Sequence, residues 1–88
     1  MIRDQLNKGI LNDVLMMVNQ KLYFRLRQKG LDAYSGPHES YGIIAEEFNK
    51  ELLDALHSNN TENFKEELLD IIVACVVSYA SILKAEEE

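Results

Sequence analysis

The stretch NNTENFKEELLDIIVACVVSYASILK, residues 59–84, decides the fold. Its middle, IIVACVV at residues 71–77, is β-branched enough to suggest a strand. The flanks overrule that reading. Lys65 to Leu69 before it and Ala80, Leu83 and Lys84 after it are helix formers, and no turn signal interrupts the run. Asn60 or Thr61 supplies an N-cap, and Glu62 falls in the first turn, where the helix dipole favours an acid. The stretch therefore predicts a helix from about residue 61 to Lys84. Over residues 68–83 that helix is apolar nearly all round, with Ile71, Ile72, Val73, Cys75, Val76 and Val77 covering every side. A helix of that kind has to be surrounded. Two other helices of the same chain cover only part of it, so a homodimer or homotetramer is expected, with this helix near the centre.

Upstream, the polar tetrad His57-Ser58-Asn59-Asn60 ends a second helix of about residues 37–57. Pro37 suits its first position, with Ser35 or Gly36 at the cap, and Tyr41, Ile44, Phe48, Leu52 and Ala55 form its apolar side. GLDAYSGP, residues 30–37, reads as a loop. Before it, Leu6, Ile10, Val14, Val18, Leu22 and Leu26 recur every four residues, and Leu11 and Leu15 widen the stripe. That is a helical period. Asn7 or Asn12 caps this first helix; Arg25, Arg27 and Lys29 sit in its last turns, and Gly30 supplies the left-handed end. The expected architecture is all-α: one domain over residues 1–88, three helices, completing a multi-helix bundle by oligomerisation.

Eighty-eight residues hold one small domain, and 47% apolar with 27% charged residues excludes wholesale disorder. The single cysteine, Cys75, forms no internal disulfide and reads as an inert buried side chain. Unstapled small domains point to a reducing cytoplasm, and MIRDQLNKGI lacks the apolar core of a signal peptide. The apolar run 68–83 is broken by Asp70 and is short for a bilayer, so no membrane partner is expected. A net charge of −6 argues against nucleic acid. The charge is unevenly spread, +3 over residues 1–37 and −9 over residues 38–88, which fits a site with phosphates on one wall and cations on the other.

The acids fall into a pattern. Glu47, Glu51 and Asp54 share one face of the second helix at i, i+4 and i+7; Glu67 and Asp70 stand at i, i+3 on the third. Charge runs are ordinarily solvated, but Asp70 opens the apolar run, where an unpaired carboxylate is costly. Carboxylates converging from two antiparallel helices give the hard oxygen ligands that Mg²⁺ prefers.

These residues also resemble a known family. HESYGIIAEEFNKELLDALHSNNTENFKEELLDIIVACVVSYAS, residues 38–81, is similar to the core of the all-α nucleoside triphosphate pyrophosphohydrolases, the MazG-like superfamily, and especially to its short phage and bacterial members. That family carries EExxE on one helix and ExxD on the next. Here ExxD is intact as Glu67-Leu68-Leu69-Asp70, and the first motif begins as Glu46-Glu47 about twenty residues earlier. The resemblance implies Mg²⁺-dependent splitting of a (d)NTP into the monophosphate and pyrophosphate, with Glu46 and Glu47 catalytic and Glu47, Glu67 and Asp70 on the metal. The chain departs from the family at Lys50, which replaces the third glutamate, with Glu51 following as a substitute ligand. Lys50 either contacts phosphate, or turns outward, or marks a degenerate member that serves as a helical interaction module. On the first helix Lys21, Arg25 and Lys29 share a face at i, i+4, i+8, suited to clamping a triphosphate. His38 at the start of the second helix is a further candidate for the substrate anion.

Overall fold

Three helix starts are fixed by short side chains or backbone at Asn7, Gly36 and Asn60. The computed structural model describes residues 3–87, which are all-α and contain no strand. Helix α1 (Lys8–Lys29) begins where the Asn7 side chain accepts the Ile10 N–H at 2.8 Å, satisfying one orphan donor of the first turn. It ends at Gly30, whose φ of 79° lets its N–H return to Leu26 O at 2.8 Å. Helix α2 spans residues 37–57 in three stretches: α-helical Pro37–Glu46, a π-helical turn Glu47–Leu52, and α-helical Leu53–His57. Asn59, in the left-handed region at φ 56°, reverses the chain. Helix α3 (Thr61–Glu86) then starts with the Asn60 side chain accepting the Asn63 N–H at 3.0 Å.

Helix α3 is the axis of the chain. Both α1 and α2 pack against it, and among the described residues they do not pack against each other. The loop between them is pinned to α3 where the Tyr34 N–H donates to Ser81 Oγ at 2.9 Å. The core is small: Ala55 from α2, with Val73, Ala74 and Val77 from one face of α3. Ser78 joins them because its hydroxyl donates to Ala74 O at 2.7 Å, which removes the cost of burying it.

Several residues expected in the core lie outside it. No described residue of α1 is fully buried: Leu6 ahead of it is 72% exposed and Ile10 and Val14 are exposed, whereas Val18, Leu22 and Leu26 are half-buried, so the stripe is covered over its C-terminal half alone. Tyr41 is 77% exposed and Phe48 is exposed as well. The stripe through Ile44, Phe48 and Leu52 presupposes an unbroken α period, which the π turn interrupts; burial follows Ile44, Glu47, Glu51, Leu52 and Ala55 instead. Cys75 is exposed, not buried, because it lies on the side of α3 opposite Val73, Ala74 and Val77. That outer side also carries Ile72, Val76, Tyr79 and Leu83, all exposed. By length and composition alone α3 is a candidate bilayer span, with a mean hydropathy of 2.0 over 18 residues, of which 17% are buried within the chain. The run is thus longer in effect than its sequence bounds suggest.

The single chain is under-covered. A folded monomer of 10.1 kDa exposes about 5,300 Å² by the usual size scaling, whereas this one exposes 7376 Å². Its radius of gyration, 15.0 Å, exceeds the roughly 12 Å of a compact chain of this length.

Candidate metal centre

The three-residue reversal at Ser58–Asn60 folds α3 back along α2, which sets the acids of the two helices opposite each other. Glu47, the first residue of the π turn, meets Glu67 and Asp70, neighbours on one face of α3. One carboxylate oxygen from each lies within 4.8 Å of the other two, and all three residues are half-buried.

Three carboxylates so close cannot all be ionised at low cost. Burial, then the charge of Asp70 and a hydrogen bond with Glu47, push Glu67 up to about 7. Glu47 is also raised, by burial first and the charge of Asp70 second. A protonated Glu67 shared with Glu47 relieves the repulsion. Even so, Glu67 Oε2 is buried with no hydrogen-bond partner. Three carboxylates, one with an orphaned oxygen, are the oxygen ligands that a small divalent cation takes once they are deprotonated.

Lys21 of α1 closes the other side. Its ammonium donates to Glu66 Oε2 at 3.0 Å and lies 3.2 Å from Asp70 Oδ1. The hydrogen bond it donates to Glu66 is the main reason its pKa is raised. Beside it, the Arg25 guanidinium sits 5.5 Å from the centre of the Tyr34 ring and donates to the Tyr34 hydroxyl at 3.3 Å. Lys21, Arg25, Lys29, Tyr34, Glu47 and Asp70 line one cleft of about 260 Å³. The cleft has a basic wall from α1 and an acidic one from α2 and α3.

The expected residues divide. Glu47, Glu67 and Asp70 come together, Lys21 pairs with Asp70, and Arg25 lines the same cleft as Glu47 and Asp70. Glu51 is half-buried at the edge of the triad, close enough for its charge to raise both Glu47 and Glu67. Glu46 is exposed and outside the triad. Lys50 is exposed and does not line the cleft. His38 is also exposed and outside it. The N-terminus of α2 already holds an anion of its own, since Glu39 Oε1 accepts the Ser35 N–H at 2.9 Å. Sequence spacing gave no sign of Glu66 as a partner of Lys21, because the pair is 45 residues apart. Comparison of the chain with protein-family models, curated proteins and solved structures gives no match.

Proposed function

We propose that this chain is a Mg²⁺-dependent nucleoside triphosphate pyrophosphohydrolase, converting a (d)NTP and water into a (d)NMP and pyrophosphate. The observation that supports the reading is the meeting of Glu47, Glu67 and Asp70, two of which, Glu47 and Asp70, line a cleft together with Lys21, Arg25 and Lys29. Glu47, Glu67 and Asp70 hold the ion, with Glu51 as a further donor. When bound, Mg²⁺ neutralises polyphosphate charge and lowers the pKa of water. Arg25 offers a bidentate grip on phosphate oxygens, and its hydrogen bond to the Tyr34 hydroxyl helps to hold it in place. Glu47 would accept the proton of the attacking water. Glu46, exposed next to it, is the weaker candidate for that role.

A cytoplasmic homodimer or homotetramer belongs to the same reading. The surplus exposed area, about 2,000 Å² per chain, matches what each partner of an obligate interface buries. A second copy, and not a membrane or nucleic acid, is the cover proposed for α3.

Release of pyrophosphate, assayed across the common NTPs and dNTPs with and without Mg²⁺, tests the activity directly. Turnover lost in Glu67→Gln and Asp70→Asn is the expected result. Silence at high protein concentration, with no calorimetric Mg²⁺ signal, favours the rival reading of a degenerate member acting as a helical interaction module. That rival draws on one observation: the Lys21 ammonium already neutralises Asp70.

A further inference from the structure

Helix α1 runs alongside α3 in the same direction. Lys21 reaches Glu66 and Asp70, and Leu22 and Leu26, further on, share a groove with Val76, Val77 and Ala80. At that register Thr61, the first residue of α3, lies level with about residue 14 of α1, so about two turns of α1 run out past the start of α3. The dimensions agree: 26 residues make α3 about 39 Å long, while the long axis of the chain is 49 Å. Leu11, Val14 and Leu15 stand at or near this overhang. They continue the face of Val18, Leu22 and Leu26 at spacings of i+3, i+4 and i+7. Val18, Leu22 and Leu26 are half-buried, whereas Leu11, Val14 and Leu15 are 48%, 39% and 61% exposed. One apolar face thus outruns its cover.

We infer that the first turns of α1, through Leu11, Val14 and Leu15, form an arm that packs on the outer face of α3 in a second copy of this chain. The inference rests on the proposed assembly and names the segment that reaches across. In a two-fold dimer the exchange is reciprocal, so each arm covers the Ile72, Val76, Tyr79 and Leu83 seam of the other copy. The area favours that occupant. The chain exposes about 2,000 Å² more than a compact monomer of its mass. Four seam side chains, each already partly covered, fall well short of that surplus, since even a wholly exposed aromatic one offers only about 150–250 Å². A second apolar surface has to contribute, and the arm is one that the chain's own helices leave bare. Its own α3 cannot serve, because α1 is continuous from Lys8 to Lys29 and carries the arm away past Thr61.

Sedimentation at micromolar concentration, with helix content followed by circular dichroism, is the test. Leu11→Glu and Leu15→Glu should each weaken assembly at least tenfold and keep the parent's helix content, since both side chains are exposed in the single chain. Met16→Glu, on the far side of α1, should assemble like the parent. Cys75 stands in the seam, three residues after Ile72 and four before Tyr79, and is the only thiol of the chain. A chain carrying Leu11→Cys and Cys75→Ser, mixed with the parent, should therefore be joined to it by a short bismaleimide. Arm variants that assemble like the parent, or the absence of a mixed product, overturn the inference while Val76→Glu still dissociates the protein. An equal loss in Met16→Glu overturns the assignment of the face. A parent that stays a 10.1 kDa monomer sinks the second copy itself and this inference with it.

Discussion

The Lys21 ammonium lies 3.2 Å from a carboxylate oxygen of Asp70, across the packing of α1 on α3. With the Lys21–Glu66 bond, this contact joins the basic half of the chain to the acidic half. It also places a resident cation where a divalent ion would share Asp70. On the proposed function, Mg²⁺ and Lys21 would compete for the same oxygen, and a polyphosphate that drew Lys21 away would favour the metal.

Lys21→Met is expected to raise the affinity for Mg²⁺ without nucleotide by roughly tenfold, a modest factor because both side chains are partly exposed and screened. The same change should raise KM for the nucleoside triphosphate, since a phosphate ligand is lost. Calorimetry and steady-state kinetics give the two signs separately. An unchanged Mg²⁺ affinity would show that Lys21 is no competitor.

Glu67 makes the metal-free protein sensitive to pH. Its carboxyl sits at about 7 in the folded chain, against 4.5 for the free side chain. Between those values the folded state holds a proton that the unfolded state has released, so rising pH favours unfolding. The melting temperature in EDTA should fall as pH rises from about 4.5 to about 7 and level off above. Glu67→Gln should flatten that slope. Mg²⁺ binding requires the carboxylate, so its affinity should climb over the same window. A melting temperature that rises through it would contradict the assignment.

Helix count and caps were legible in the sequence because they depend on local chemistry. Asn7, Pro37 and Asn60 carry their signals within a few residues of where they act. Short-range spacing put Glu47, Glu51 and Asp54 on one helix face and Glu67 and Asp70 on another, while the family resemblance singled out Glu47, Glu67 and Asp70; Asp54 is exposed and outside the triad. What lay beyond reach was non-local. The Lys21 contacts to Glu66 and Asp70 depend on how α1 settles on α3, and the π turn is a change of period that hydrophobic spacing does not encode. Tyr41, Phe48 and Cys75 were expected inside because periodicity separates apolar from polar faces. It does not say which partner covers them.

The turn between α2 and α3 sets the two acid groups opposite each other, so its cap carries weight beyond its own hydrogen bond. Asn60→Ala removes the acceptor for the Asn63 N–H and should cost about 1 kcal/mol by denaturant titration. Asn59 is the reverse case. Its φ of 56° suits glycine at least as well, so Asn59→Gly should leave stability within about 0.5 kcal/mol of the parent. A large loss in Asn59→Gly would mean that its side chain holds the turn.

The outer face of α3 provides the sharpest test of assembly. Ile72, Val76, Tyr79 and Leu83 succeed one another at i, i+4, i+7 and i+11, the spacing of a helix-packing seam, and all four are exposed in the single chain. Val77, one residue along, is buried against the chain's own helices. The two valines thus separate assembly from folding. A glutamate at Val76 meets water in a monomer but an apolar partner in a dimer, where burying it unpaired is prohibitive. Val76→Glu should dissociate the parent assembly in sedimentation experiments at micromolar concentration, whereas Val77→Glu should cost the fold itself, seen as lost helix signal. A Val76→Glu protein that stays assembled would move the interface to another face, and a parent that sediments as a stable 10.1 kDa monomer would leave the exposed seam without its second copy.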